Sequence, residues 1–390
     1  MNKKRAAQGE SMRRLNRLQL LPLALLLFCF ASRAVGQESA LGEARTQPSV
    51  GMVTRNYVDE KRKNWQETGP RPLRTAVWYP AEAGTGETET IFGGPPEKQL
   101  FAPVSVAGGA RLSPASPKYP LVLLSHGTGG SAIMMMWLGR YLAERGYIVA
   151  AVNHHGNTAA EQQRTAQGFL LVWERAKDLT AALDKLLADP MFGPRIDQDR
   201  IGAAGFSLGG YTVISVAGGR FIPQEFAWFC RSPRRDFTCE PQPEFPDARK
   251  LFEELKKTDP VVQESLRHAS DSYRDERIKR VFAIAPALGS GFTKASLSRI
   301  RIPVSIVVGE ADAVTPPATN AKRYATLIRG AKLTVLPGKV GHLTFLAECG
   351  PYGLKTLPIC RDADGVDRAA VHQRVSKMAL EFFEKGSKRK

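Results

Sequence analysis

Cysteine and histidine are scarce in this sequence, five and six residues in a chain of 390, and no two cysteines stand at Cys-x-x-Cys spacing. That disfavours a zinc module as the organising element of the fold. The Gly-Lys-Ser/Thr ending of a P-loop and the Gly-x-Gly-x-x-Gly of a dinucleotide site are both missing, so nucleotide chemistry has no visible anchor. Basic residues are scattered among acidic ones rather than drawn into a stripe with interleaved aromatics, and no nucleic-acid partner is expected. No apolar run is long enough to span a bilayer comfortably, and no internal repeat is visible. What is present is an ordinary globular balance, 43% hydrophobic and 24% charged, which excludes disorder of the whole.

The first 36 residues read as a cleaved secretory signal. Lys3, Lys4, Arg5, Arg13, Arg14 and Arg17 precede the apolar stretch Leu18 to Ala31, and Ala34, Val35 and Gly36 offer small residues for cleavage before Gln37. An uncleaved membrane anchor is the alternative. With Cys29 inside the signal, Cys230, Cys239, Cys349 and Cys360 remain, in two close pairs. Four cysteines allow three connectivities, of which the local one, 230 with 239 and 349 with 360, is preferred for a periplasmic or secreted protein. Seven Lys or Arg against one Glu in the signal account for +6 of the formal charge of +17, leaving +11. That balance is compatible with peripheral contact at an anionic membrane surface. It does not indicate an oligomeric state.

Short β-branched runs alternate with longer helical patterns. Residues 75–80, 121–125, 147–153, 200–206, 281–286, 304–309 and 333–337 read as strands, most of them apolar on both faces. Val172, Ala176, Leu179, Leu183 and Leu186 recur at helical spacing, as do Val371, Val375, Met378 and Phe382. The expected fold is α/β, a mostly parallel central sheet with helices on both faces. Residues 37–71 read as an N-terminal extension, 72–386 as one domain and 387–390 as a basic tail. About 217–275 interrupts the alternation and reads either as a cap inserted over a site or as a surface excursion with no part in it.

The sharpest local signal is Gly205-Phe206-Ser207-Leu208-Gly209, which fits the Gly-x-Ser-x-Gly turn between a strand and a helix. Such a turn exposes a serine oxygen and aims the next backbone N–H, here that of Leu208, at a substrate oxygen. A serine hydroxyl needs a base, and His342, just after the last expected strand, is the best placed histidine. The base needs a carboxylate; Asp312 follows the strand 304–309, with Glu310 as the rival. The loop Ser125-His126-Gly127-Thr128-Gly129-Gly130 can supply a second oxyanion donor, from Gly127 or Thr128. His126, His154, Phe206 and Phe345 are candidates to line a substrate pocket, and Phe221, Phe226, Trp228 and Phe229 either line a cap site or fill the cap's own small core.

The stretch 119–158, the elbow GFSLGG, the run IPVSIVVGEADAVTPPATNA and the segment GHLTFL together resemble a branch of the α/β-hydrolase superfamily. This is the bacterial dienelactone-hydrolase-like family related to the platelet-activating-factor acetylhydrolases. The resemblance implies an α/β-hydrolase fold, ester hydrolysis with no cofactor or metal, and a triad of Ser207, His342 and Asp312. Dienelactone hydrolases proper use a cysteine nucleophile, where this chain has serine. A small-molecule or lipid ester is the expected substrate, specified no further than short-chain or acetyl. An acyltransferase, a polyester or C–C-bond hydrolase, and a binding protein that keeps the fold without turnover are the rival readings.

Overall fold

The computed structural model describes residues 49–385. The stretch read as a signal peptide, with Cys29, the first part of the stretch read as an extension and the stretch read as a basic tail lie outside the described residues. Ten strands form one sheet: β1 (Val50–Lys63), β2 (Pro70–Pro80), β3 (Thr88–Thr90), β4 (Val104–Gly108), β5 (Tyr119–Ser125), β6 (Ile148–Val152), β7 (Ile196–Phe206), β8 (Arg280–Ile284), β9 (Val304–Gly309) and β10 (Lys332–Leu336). Their order across the sheet is β10-β9-β8-β7-β5-β6-β2-β1-β4-β3. From β6 to β10 all neighbours run parallel, and β2 joins β6 antiparallel.

Strands β5, β6 and β9 are buried along their whole length. Their continuous Val, Leu, Ile and Ala runs are what a strand covered on both faces requires. Helices α1 (Met136–Ala143), α2 (Ala166–Leu170), α3 (Glu174–Ala188) and α4 (Leu208–Val216) follow in chain order. The helix α1 packs against the C-terminal helix Arg368–Glu384, and α3 packs against α4. Gly139 is required in α1, since a Cβ there would stand 2.7 Å from the Trp78 ring.

The stretch read as an N-terminal extension is part of the sheet. Strand β1 pairs with β2 from Val50 opposite Pro80 to Lys63 opposite Pro70, so the fold begins well before residue 72. Its sequence, VGMVTRNYVDEKRK, lacks the apolar run that marks the central strands, because much of it stays in contact with solvent.

Between α4 and β8 the chain builds α5 (Pro223–Arg231), α6 (Ala248–Thr258) and α7 (Pro260–Arg267). The Pro at the first position of α5 and α7 suits a helix start, where its missing N–H has no partner to lose. Disulfides join Cys230 to Cys239 and Cys349 to Cys360, with Cα separations of 5.4 and 5.8 Å. Such bonds fit an oxidising compartment. Among the described residues no helix is long and apolar enough to cross a membrane.

Candidate active site

Ser207 sits between the end of β7 and the start of α4 with φ 56° and ψ −116°, a conformation that costs a non-glycine residue about 1–3 kcal/mol. The neighbouring glycines make it possible. A Cβ on Gly205 would lie 2.2 Å from the Gly209 carbonyl oxygen, and one on Gly209 would lie 1.8 Å from that of Ser125. The turn is held by the Ser207 N–H, which donates to Ile284 O at 2.9 Å, and by the Ser207 carbonyl, which accepts from Ala287 N at 3.0 Å.

The structure brings Ser207, His342 and Asp312 together. Ser207 Oγ stands 2.9 Å from His342 Nε2, and His342 Nδ1 stands 2.8 Å from Asp312 Oδ2. Asp312 Oδ1 accepts from the backbone N–H groups of Val314 at 3.0 Å and Thr315 at 2.7 Å. The Thr315 hydroxyl donates to Oδ2 at 2.9 Å. With its lone pairs so occupied, the carboxylate takes the Nδ1–H of His342 and leaves Nε2 free to accept from Ser207. Glu310 is exposed and accepts from the Gly338 N–H at 2.8 Å, away from this relay. Thr315 was not singled out by sequence; its signal is the spacing Asp-x-x-Thr, which closes a turn on the carboxylate.

Leu208 is the first residue of α4, so its N–H has no acceptor within the helix. Gly127 approaches from the loop after β5, and a side chain there would meet Ser207 Cβ at 3.2 Å. The loop's carbonyls are held from below. Arg175 Nη2 donates to His126 O, and His126 Nδ1–H donates to Gly127 O at 2.7 Å. Arg175 Nε also reaches Thr212 Oγ1 at 3.2 Å, and that hydroxyl donates to Leu208 O at 2.8 Å. Burial draws the Arg175 guanidinium down to about 9, still cationic at neutral pH.

The four residues expected to line the pocket do something else. His126 is buried in hydrogen bonds to Gly127 O and the His154 N–H. Phe206 packs against His342, ring centroids 4.7 Å apart, and Phe345 lies 6.1 Å from Phe206, so Phe206 backs the imidazole and Phe345 backs Phe206. His154 belongs to a second Ser-His-Asp array: Ser125 Oγ is 2.9 Å from His154 Nε2, and His154 Nδ1 is 2.9 Å from Asp178. Ser125, His154 and Asp178 are 0, 1 and 0% exposed, and Asp178 is shared with Arg71 at 2.7 Å and Arg62 at 2.7 Å. Burial, with help from Arg175, lowers His154 to about 3, so this is a neutral imidazole donating to a carboxylate. A substrate has no route to Ser125, and the array is a polar brace. For His126 and His154 the reason is that a polar residue just past a strand end looks the same in sequence whether it faces a cleft or a buried network.

A cavity of about 510 Å³ has in its wall Leu208, the residue after Ser207, and Thr128 together with residues of α5 and α6. Phe221 and Phe226 line it, Phe229 is buried, and Trp228 is 62% exposed. The cap aromatics are therefore not one small core.

A solved structure titled a ferulic acid esterase from Streptomyces cinnamoneus shares the fold, with a TM-score of 0.59 at 21% identity over 87% of this chain and 91% of that one. Dipeptidyl-peptidase 5 of Porphyromonas gingivalis is 34% identical over 106 residues, 26% of this chain and 15% of that protein. Cutinase est1 of Thermobifida alba is 32% identical over 104 residues, 26% of this chain and 31% of the cutinase. The platelet-activating factor acetylhydrolase of Cavia porcellus is 39% identical over 92 residues, 22% of this chain and 21% of that enzyme. The chain thus matches less than a third of the length of each of these three relatives. The Alpha/beta hydrolase family, by contrast, matches residues 121–349, more than half of the chain and inclusive of Ser207, Asp312 and His342, and the chain belongs to that family.

Proposed function

We propose that the protein is an exported serine hydrolase that cleaves carboxylic esters through an acyl-enzyme on Ser207. The observation that carries the reading is the continuous relay from Asp312 through His342 to a strained elbow serine, at 2.8 and 2.9 Å, beside the helix N–H of Leu208. Ser207 Oγ attacks the ester carbonyl while its proton passes to His342 Nε2. The carbonyl oxygen becomes an oxyanion facing the N–H of Leu208 and that of Gly127 or Thr128. Collapse breaks the bond to the alcohol oxygen, which leaves with the proton from Nε2. Water then repeats the sequence and releases the acid. The platelet-activating factor acetylhydrolase among the relatives is named for cleavage of this kind, which supports the ester reading.

The test is release of p-nitrophenol from p-nitrophenyl esters by the chain starting at Gln37, with Ser207→Ala as control. Turnover and fluorophosphonate labelling should both vanish in the variant, with loss of about 10⁴-fold or more in kcat. Equal turnover by the two proteins rules the reading out. Export is checked separately, by sequencing the N-terminus of protein recovered outside the cytoplasm.

A further inference from the structure

We infer that the cavity beneath α5 and α6 is the acyl site of this enzyme and takes an extended apolar acyl chain rather than acetyl. The inference rests on Ser207 being the nucleophile. Its wall is built of Phe169, Trp173, Phe221, Phe226, Phe245 and Phe252, and its volume of about 510 Å³ lies in the range of sites that enclose a whole ligand.

The placement of the site residues decides which half of an ester enters. A carbonyl carbon attacked by Ser207 carries three other groups. The oxyanion faces the loop after β5 and the start of α4. The leaving oxygen must lie by His342 Nε2, which returns its proton. The acyl carbon takes the direction that remains. Thr128 and Leu208, on the oxyanion side, line the cavity; among the described residues no member of the His342 segment does. The cavity therefore continues from the acyl carbon, and the alcohol departs on the other side.

Size and polarity then name the acyl class. Acetyl would leave the aromatic wall uncovered, whereas an alkyl chain removes it from water. Glu240, Arg249, Glu253 and Lys256 also border the cavity, two of each sign, so no net charge there selects an ionic acyl group.

The experiment compares p-nitrophenyl acetate and octanoate. Each methylene buried is worth up to about fourfold in kcat/KM, the equivalent of about 0.8 kcal/mol. Allowing for incomplete burial, octanoate should exceed acetate by at least about tenfold. Val172→Trp and Ala227→Trp fill the cavity from the turn before α3 and from α5, and each should lower the octanoate-to-acetate ratio by about fivefold or more. A binding arm uses Ser207→Ala, which should bind decanoate calorimetrically with a negative heat-capacity change and show no heat with acetate. A ratio at or below one in the unaltered protein, a ratio unmoved in both tryptophan variants, or no decanoate binding overturns the acyl assignment. If Ser207→Ala has at the same time lost turnover, the esterase reading stands without it. Turnover that survives in Ser207→Ala overturns both.

Discussion

Arg175, buried under the loop after β5, donates from Nη2 to the carbonyl oxygen of His126. In a trans peptide the carbonyl and the next N–H point in opposite directions. The guanidinium therefore turns the N–H of Gly127 away from itself and fixes it there, in a residue that abuts Ser207. Through Thr212 the same side chain is tied to the first turn of α4, so one cation positions both walls of the oxyanion site. Arg175→Met should lower kcat about 10- to 100-fold, short of the cost of deleting a donor outright, and change KM little. Arg175→Lys should recover part of the loss. A fall in melting temperature with kcat intact in both variants would reduce Arg175 to a structural brace.

Thr315 donates to the same Asp312 oxygen that receives His342. Asp312→Asn removes the charge and presents the wrong tautomer to the imidazole, with an expected loss near 10⁴ in kcat. Thr315→Val keeps the shape and removes one donor, so a loss of about 10- to 150-fold is expected, the size of a hydrogen bond to a charged group. Steady-state turnover of one ester by both variants checks the order. Equal losses would mean that Thr315 is as necessary as the carboxylate itself.

Ser207 was readable in the sequence because the elbow needs glycine at 205 and 209, a steric demand confined to a few neighbours. Asp312 and His342 were readable because each follows a strand of the parallel sheet, and strand ends on one side of such a sheet converge. The central strands were readable for the same reason that they are buried, their unbroken apolar runs. Strand β1 was not, since Thr54, Asn56, Glu60 and Lys61 give its exposed positions the look of a loop. The fates of His126 and His154 depend on Arg175 and Asp178, which are placed by tertiary packing of α3 and leave no trace near either histidine.

Acid should weaken the protein through those same histidines. Burial, aided by the Arg175 charge, lowers His154 from 6.5 to about 3 and holds His126 well below 6.5. The unfolded chain therefore takes up protons between about pH 6.5 and 3 that the native state refuses. The stabilisation is complete above pH 6.5 and is lost as pH falls, by up to about 1.4 kcal/mol per pH unit for each histidine. Burial works against the Asp178 carboxylate, but Arg71 and Arg62 override it and keep it well below the usual range, which extends the loss to lower pH. Urea midpoints at pH 7, 5 and 4 should decline steadily, and the decline should be shallower in His154→Gln. A flat profile over that interval would contradict the buried neutral state.

The Cys230–Cys239 bond links the end of α5 to the segment that leads into α6, and Cys230 itself borders the acyl cavity. Closing a loop of this length restricts the unfolded segment by about 3 kcal/mol on the chain-entropy account. The central sheet owes nothing to that bond, being held by parallel pairing from β6 to β10. Replacing both cysteines by serine should therefore loosen the cap first. Hydrogen exchange should rise across residues 221–256 and stay slow in β5 and β7. Octanoate turnover should fall by a larger factor than acetate turnover, because only the longer chain depends on an ordered wall. Exchange that rises equally in the cap and the sheet would show instead that the two unfold as one unit, and the selectivity between the esters should then survive in whatever fraction remains folded.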